Sequence, residues 1–499
     1  MPERPRLIQI HPQDNVAVAV EAIEAGAELR VGEVVVRVRD PIRRGHKVAL
    51  APIGRGENVI KYGFPIGRST SDIAPGAHIH IQNVRTNLDG ILEYEYRPQF
   101  ARVAPVDSPI SFDGFVRGGG EVGVRNEIWI IPTVGCVNEI CQQLARQAHQ
   151  RLSGGNLEGI YAFGHPYGCS QFGDDLLRTQ AMLAGLVRHP NAGGVLIVGL
   201  GCEHNSIGQL RQVLGEPDPR RVKYFAAQEV EDEMATGMVL LETLAEYVRG
   251  FTRQPVPLSK LRVGLKCGGS DGFSGITANP LLGVVSDRLT SMGGSTLLTE
   301  VPEMFGAETI LMVRCLNREV FDKCVRLVNG FKSYLIRHQR PIYENPTPGN
   351  QDGGITTLED KSLGCTQKSG TSPVMDVLEY GQCPKRAGLN LVNSPSNDLV
   401  SVSALVAAGA HLVLFTTGRG TPLGGPVPTV KISTTSELAR RKGHWIDFDA
   451  GRLLEGEQMS ALADALLDYV VQVASGRART KNEQHGFREM AIFKDGVTG

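Results

Sequence analysis

From Asn126 onward, apolar strand candidates alternate with helical stretches, and this alternation constrains the fold more than any other feature of the chain. The strand candidates lie at 127–134, 159–164, 195–200 and 222–227, and helical stretches such as 139–152 and 174–189 lie between them. Strands separated by amphipathic helices are typical of βαβ units, in which neighbouring strands run parallel. We therefore predict an α/β domain at 117–258 with a largely parallel sheet.

The segments on either side have different patterns. Residues 1–100 contain short β-like runs punctuated by glycine, with a single helical candidate at 16–26. Residues 101–116 are rich in Pro, Asp and Ser and are interpreted as a linker. Strand candidates at 261–266, 295–300 and 411–417, together with a long helix at 319–338, predict a second α/β domain at 259–499. The fold class is thus α/β, with a small, mostly β N-terminal module.

Composition excludes several classes of protein. The formal net charge is −1, hydrophobic residues make up 41% and charged residues 21%, as in a typical globular protein. The sequence contains no Lys/Arg run with interleaved aromatics, which would indicate nucleic-acid binding, and no 18-residue apolar run, which would indicate a membrane span. The N-terminus has no apolar stretch of the kind found in signal peptides, so we expect a cytoplasmic protein. Nine scattered cysteines without Cys-x2-Cys spacing argue against a disulfide framework or a zinc ribbon.

The segment 341–370 carries more chemistry than a turn needs. It contains four carboxylates, two lysines and one thiol among glycines and prolines. Long ordered loops of this kind usually bind or react, and we interpret this one as a polar loop that meets a small, oxygen-rich molecule.

Polar groups also follow four predicted strands. They lie at 165–171, 201–203, 267–271 and 418–422. Because ligands of open α/β sheets bind outside the carboxyl ends of the strands, we expect one shared cleft. For Cys365 and the cysteines at these strand ends, the sequence leaves two roles open, namely packing in the core and ligation of a metal. We interpret the remaining ones as small buried apolar residues, namely Cys136, Cys141, Cys315, Cys324 and Cys383.

Three histidines and two glycine-rich segments complete the candidates. His46 follows Arg44-Gly45 at a predicted strand start. His78 and His80 point to one strand face and are able to hold a metal, although a solvated face is the favoured interpretation. Segment 118–127 lacks the order of a phosphate loop, whereas 269–275 is a backbone nest able to hold an anion.

Taken together, the motifs resemble those of the altronate/galactarate dehydratase family, and they cover the chain nearly end to end. They include RGHK at 44–47, GEVGVRNE at 120–127, PTVGCVN at 132–138, YGCSQ at 167–171, GLGCE at 199–203, CGGSDGFSGITANP at 267–280, NPTPGN at 345–350, GGITTLEDKSLGCTQKSG at 353–370 and TTGRGTP at 416–422. One departure, Gly164-His165-Pro166 in place of a Ser-His-Thr run, keeps the histidine.

The resemblance implies an N-terminal β-clip module of the SAF type and two larger α/β domains. It implies dehydration of D-altronate to 2-dehydro-3-deoxy-D-gluconate in galacturonate breakdown, with Fe2+ or Mn2+ as the divalent metal. The substrate is then a small sugar acid, and a homo-oligomer stays open. The alternatives are a dehydratase of another sugar acid, such as galactarate or a sulfonated hydroxy acid, and a non-catalytic sugar-acid binding protein.

Dehydration of a sugar acid requires removal of the C2 proton and loss of the C3 hydroxyl, which calls for a base, an acid and a cation. We predict His46 and Lys47 as the acid/base pair, with His165 as a rival, and Lys361 and Lys368 as groups that orient the carboxylate or act as the base. The predicted substrate-binding residues are Arg125, Asn126, Ser270, Asp271, Asn350 and Arg419. The predicted metal ligands are Cys169, Cys202, Glu203, Cys267, Glu359 and Asp360, with an Fe–S cluster on Cys169, Cys202 and Cys267 as the alternative.

Overall fold

The computed structural model describes residues 6–100 and 110–496. Its N-terminal module consists of short antiparallel strands, and its described residues form no helix. The strands are Leu7–Ile8, Val16–Ala19, Glu28–Val31, Val34–Arg37, Lys47–Ala49, Asn58–Lys61, Phe64–Ser69, His78–Ile79 and Val84–Arg85. The predicted helix at 16–26 is wrong, because Val16–Ala19 is a buried strand between Leu7–Ile8 and Lys47–Ala49. Its valines suit a strand flanked on both sides.

The middle domain holds a four-stranded, all-parallel sheet. In spatial order its strands are Gly159–Ala162, Glu127–Pro132, Ala192–Gly199 and Val222–Ala226. The helices Asn138–Leu152, Gly173–Arg188, Ile207–Leu214 and Glu233–Arg249 cover it. This confirms the predicted βαβ pattern.

The end of the predicted linker is ordered structure. Residues 101–109 lie outside the described residues, but Ser111–Val116 is a strand that pairs with Val122–Gly123 and Arg253–Pro257. Phe112 and Phe115 are buried there, which explains why this part of the segment is held in a sheet.

The C-terminal domain holds a seven-stranded parallel sheet. In spatial order its strands are Val374–Leu378, Gly388–Val392, Ser295–Leu298, Arg262–Cys267, Leu412–Thr417, Thr429–Ser433 and Phe448–Asp449. Its helices are Ala278–Ser291, Glu308–Met312, Arg318–Arg337, Pro348–Asp352, Leu358–Thr366, Asp398–Ala407, Ser436–Arg441, Met459–Ala474 and Lys481–His485. None of the helices in the described part of the chain has the length and apolar character that crossing a membrane requires.

The segment 341–370 is not one long loop. It forms the helices Pro348–Asp352 and Leu358–Thr366, and every residue of the second helix is buried. Local signals start both helices, because Thr347 forms a capping box and the Thr357 side chain accepts a hydrogen bond from the Asp360 N–H. The polar groups of the second helix are therefore fixed in the protein interior.

Candidate active site

The loop that carries His46 reaches from the N-terminal module onto the C-terminal domain of the same chain. Gly45 and Gly354 have φ values of +80° and +99°, which favour glycine. A Cβ atom at Gly272 or Gly354 would collide with the Gly45 carbonyl oxygen. The backbones of the two domains therefore meet at a distance that side chains would prevent, and His46 lies at this junction.

Three imidazoles form a group beside this junction. His46 Nδ1 lies 3.0 Å from His78 Nε2, and the His46 and His80 ring centroids are 4.8 Å apart. His46 Nε2 lies 3.2 Å from the Asp352 carbonyl oxygen, and His80 Nδ1 lies 3.2 Å from Thr356 Oγ1. Burial lowers the pKa of His46, and it lowers the pKa of His78 to about 4 and of His80 to about 3. All three rings are therefore neutral at pH 7.

A buried ion-pair network lies next to the histidines. Lys47 Nζ donates to Asp360 Oδ2 at 2.8 Å, and Lys61 Nζ donates to Asp360 Oδ1 at 2.9 Å. Burial raises the pKa of Asp360, but the two ammonium groups outweigh it and hold that pKa below its usual range. Both Asp360 oxygens are thus engaged, which argues against the predicted role of Asp360 as a metal ligand. Burial lowers the pKa of Lys47 to about 8 although Asp360 opposes it, and the acid/base role of Lys47 stays a prediction.

A second buried group combines thiols, carboxylates and lysines. Cys267 Sγ lies 3.2 Å from Cys365 Sγ and 2.9 Å from Lys368 Nζ, and Cys365 Sγ lies 3.0 Å from Glu303 Oε2. Lys361 Nζ lies 2.9 Å from Glu303 Oε1. Burial raises the pKa of Glu303, but nearby lysines, Lys361 first, lower it to about 2. The hydrogen bond with Cys365 lowers the pKa of Cys267, and Lys368 acts in the same direction.

Two cavities connect these groups. A small pocket is lined by side chains of both clusters, including Lys61, Asp360, Lys361 and Cys365, and by Ser270 and Asp271. A wider polar cleft of about 330 Å³ shares Asp271 with it and is lined by Arg44, Arg419 and Arg441. Asn350, which hydrogen-bonds to the Ser270 carbonyl and to Lys361, holds the pocket wall. The predicted residues Ser270, Asp271, Asn350, Lys361 and Arg419 thus lie together.

Arg125 and Asn126 lie elsewhere, in structural roles. Arg125 is fully buried and makes a bidentate ion pair with Glu483, at 2.7 and 3.0 Å. The Asn126 amide bridges Arg117 and two backbone carbonyls. Neither side chain is available to a sugar acid, so the prediction that they bind substrate is wrong for this structure.

The expected single cleft is divided between two sheets. His165, Cys169, Cys202 and Glu203 follow strands of the middle domain, whereas Cys267 is the last residue of a strand of the C-terminal domain. His165 Nε2 lies 2.9 Å from the Pro132 carbonyl oxygen, and Glu203 accepts hydrogen bonds from Thr133 and from the N–H groups of Leu200 and Gly201. The predicted cluster on Cys169, Cys202 and Cys267 is therefore not assembled.

Glu359 is also engaged. Its carboxylate accepts hydrogen bonds from the Thr86 hydroxyl and from the Asn87 N–H at 2.6 Å, so it fastens the N-terminal module instead of facing a metal. Among the described residues, the one group of three potential ligand atoms within 4.8 Å of one another is Cys267, Glu303 and Cys365.

Sequence reasoning missed Lys61, Lys266, Glu300 and Glu303. Glu300 accepts from Lys266 and, at 2.7 Å, from Lys368. The run TEVPEMFGAE at 299–308 contains both glutamates, and two carboxylates so close together after a strand were a usable signal. Cys136 and Cys383 were expected to be buried, but both are exposed.

Models of one enzyme family match all three parts of the chain. The altronate/galactarate dehydratase SAF domain matches residues 5–87, the second domain of D-galactarate dehydratase/altronate hydrolase matches 114–249, and the C-terminal domain of D-galactarate/altronate dehydratase matches 258–498. The altronate dehydratases of Escherichia coli K12 and Bacillus subtilis 168 are 53% and 52% identical, each over 98% of this chain and 99% of the relative. The galactarate dehydratase (L-threo-forming) of E. coli K12 is 32% identical over 97% of this chain and 96% of the length of that relative.

Proposed function

Because this chain is an enzyme that belongs to the altronate/galactarate dehydratase family, we propose that it removes water from D-altronate and releases 2-dehydro-3-deoxy-D-gluconate. The observation that carries the proposal is the cleft of about 330 Å³ at the junction between the N-terminal module and the C-terminal domain. It is lined by Arg419 and Arg441, which suit a carboxylate, by Arg44, which is paired with Glu437, and by Asp271, which suits hydroxyls.

In this proposal His46 takes the C2 proton. Its ring is neutral at pH 7 because burial lowers its pKa, and it contacts the carbonyl of Asp352, a residue that lines the cleft. Lys361 assists departure of the C3 hydroxyl. Although burial opposes it, Glu303 raises the pKa of Lys361, so this ammonium stays protonated and is able to donate a hydrogen bond or a proton. The enol that results tautomerises to the 2-keto acid.

The cluster of His46, His78 and His80 suits Fe2+ or Mn2+ better than the cluster of Cys267, Glu303 and Cys365 does. Fe2+ accepts imidazole nitrogen, whereas Cys267 and Glu303 are already in contact with the ammonium groups of Lys368 and Lys361. In the proposal, His78 and His80 would hold the ion and His46 remains the proton carrier. A divalent ion bound there would supply positive charge that offsets the negative charge developing as the C2 proton leaves.

The test is anaerobic turnover, read as 2-keto acid formation with added Fe2+ or Mn2+. The wild-type chain should act on D-altronate in preference to galactarate or a sulfonated hydroxy acid. His46→Ala should lower kcat by about 100-fold or more while bound metal is retained, because general acid–base catalysis contributes at least that factor. His80→Ala should lower the metal content itself.

Three results would change the proposal. Near-normal turnover of His46→Ala would remove His46 from the mechanism. Activity on another sugar acid alone would keep the chemistry and change the substrate. Binding of all these acids without water loss would favour the binding-protein alternative.

A further inference from the structure

Three exposed cysteines follow three neighbouring strands of the middle domain. Cys136, Cys169 and Cys202 come after Glu127–Pro132, Gly159–Ala162 and Ala192–Gly199, respectively, and these strands are adjacent and parallel. The carboxyl ends of parallel strands lie at one edge of a sheet, where ligands of open α/β sheets bind. The three thiols are therefore carried by one edge of this sheet, apart from the candidate active site.

Backbone hydrogen bonds hold the three cysteine-bearing loops against one another. The ties next to the cysteines are Gly135 N–H to Tyr167 O at 2.8 Å, Asn205 N–H to Gly168 O at 2.9 Å and Ser170 N–H to His204 Nδ1 at 3.0 Å. In addition, Asn205 Nδ2 donates to the Thr133 carbonyl at 2.8 Å. Each cysteine lies within three residues of such a hydrogen bond, so the loops are fixed relative to one another.

The backbone around Cys169 is strained. Gly168 has φ +104°, and a Cβ atom there would collide with the Thr133 carbonyl oxygen. Ser170, on the other side, has φ +50°, a conformation that residues other than glycine rarely adopt. Such strain is concentrated at functional sites, and here it sets the position of a thiol.

Packing does not account for these thiols. Cysteine is among the most often buried residue types, and Cys141, Cys267, Cys315, Cys324 and Cys365 follow that rule. Three exposed cysteines on one sheet edge depart from it together. Thiolates are soft ligands that select iron–sulfur clusters, zinc or Cu(I).

We infer that Cys136, Cys169 and Cys202 are the protein ligands of an iron–sulfur cluster with one iron left without a cysteine. The spacing of the sulfurs argues against one zinc ion held by all three. Thiolates 2.3 Å from a tetrahedral zinc lie roughly 3.8 Å apart. The three sulfurs do not all lie within 4.8 Å of one another among the described residues. On ligation each thiol releases its proton to solvent.

The test is anaerobic reconstitution of the full chain with ferric chloride, sodium sulfide and dithiothreitol, where the thiol reductant supplies the electrons for partial reduction of the iron. Iron and acid-labile sulfide per chain are measured, together with visible absorbance and the EPR signal after further reduction. The wild-type chain should bind both elements. Cys136→Ser, Cys169→Ser and Cys202→Ser should each lose most of the iron and sulfide.

Cys383→Ser is the matched control, because Cys383 is exposed but its thiol contacts the Ala407 carbonyl, in the C-terminal domain. It should retain iron and sulfide at the wild-type level, and so should Cys267→Ser. Circular dichroism and thermal unfolding show whether each variant is folded. Loss of the cluster in Cys267→Ser but not in Cys136→Ser would overturn the assignment. It would equally be overturned by a wild-type chain that takes up no sulfide, or that binds zinc alone. These readouts do not depend on turnover, so they stand apart from the proposed dehydration.

Discussion

Replacing Asp360 with Asn should loosen the N-terminal module more than removing either of its two lysine partners. Asp360 is buried, and its ion-pair partners Lys47 and Lys61 are 0% and 2% exposed. Loss of one partner from a buried ion pair costs about 3–5 kcal/mol. Asp360→Asn leaves two buried ammonium groups uncompensated, so we expect about 5 kcal/mol, the upper end of that range.

Lys61→Met should cost less, about 1–3 kcal/mol, the usual penalty for removing one hydrogen-bonding partner. In that variant the Asp360 carboxylate still accepts hydrogen bonds from Lys47 and from the Thr356 N–H at 3.0 Å. The double variant gives the sharpest result. Removing the Lys61 ammonium from the Asp360→Asn protein takes away a buried unpaired charge, so the double variant should be more stable than Asp360→Asn alone.

The assay is native-state hydrogen exchange in the strand Lys47–Ala49, which reports the free energy of opening of the module. The control is Arg318→Met in the exposed Arg318–Asp322 pair, which should change stability by no more than about 0.5 kcal/mol. The reasoning is refuted if Asp360→Asn costs no more than Lys61→Met. It is refuted as well if the double variant is the least stable of the three.

Three further predictions follow from single contacts. His165→Asn should keep near-wild-type turnover but lower the free energy of unfolding by about 1–3 kcal/mol, since both ring nitrogens of His165 bond backbone groups, the Pro132 carbonyl and the Tyr167 N–H; turnover and urea unfolding check it. Although burial opposes it, Arg125 lowers the pKa of Glu483 to about 2. The contribution of the Arg125–Glu483 pair to the free energy of unfolding is therefore complete above pH ~4.5 and disappears as pH falls through 2. Glu483→Gln should therefore flatten the fall in stability between those pH values in urea unfolding. Arg419→Gln should raise KM for the sugar acid about tenfold, because one charge-assisted hydrogen bond is lost. Steady-state kinetics measures this change.

Local patterns predicted the fold well for elements whose conformation is determined by their own residues and not by tertiary contacts. The alternation of strands and helices after Asn126 is confirmed, because burial of strand faces repeats along the sequence. The helix Leu358–Thr366 was missed, since polar residues and a glycine hide its pattern and its burial comes from tertiary contacts. The helix predicted at 16–26 failed because neighbouring strands decide the state of Val16–Ala19.

The candidate site could be predicted by residue type but not by pairing. Unusual polar residues near glycine singled out His46, Asp271 and Lys361, and the structure brings these three to the junction, while their roles stay predictions. The engagement of Lys47 with Asp360 joins residues far apart in the sequence, and no local pattern announces it. For the same reason Arg125 was mistaken for a carboxylate clamp of the substrate, although it is a clamp for Glu483.

These pairings explain how two separate domains position one histidine. Glu359 and Asp360 are consecutive on a buried helix, and both carboxylates take their partners from the N-terminal module. A buried carboxylate without partners is costly, so the module must lie in one position for both to be satisfied. Lys47 follows His46 directly, and its ammonium bonds to Asp360 and to the Gly354 carbonyl. The charge network therefore fixes the loop that carries His46, and any change in it should shift the His46 ring before it unfolds the protein.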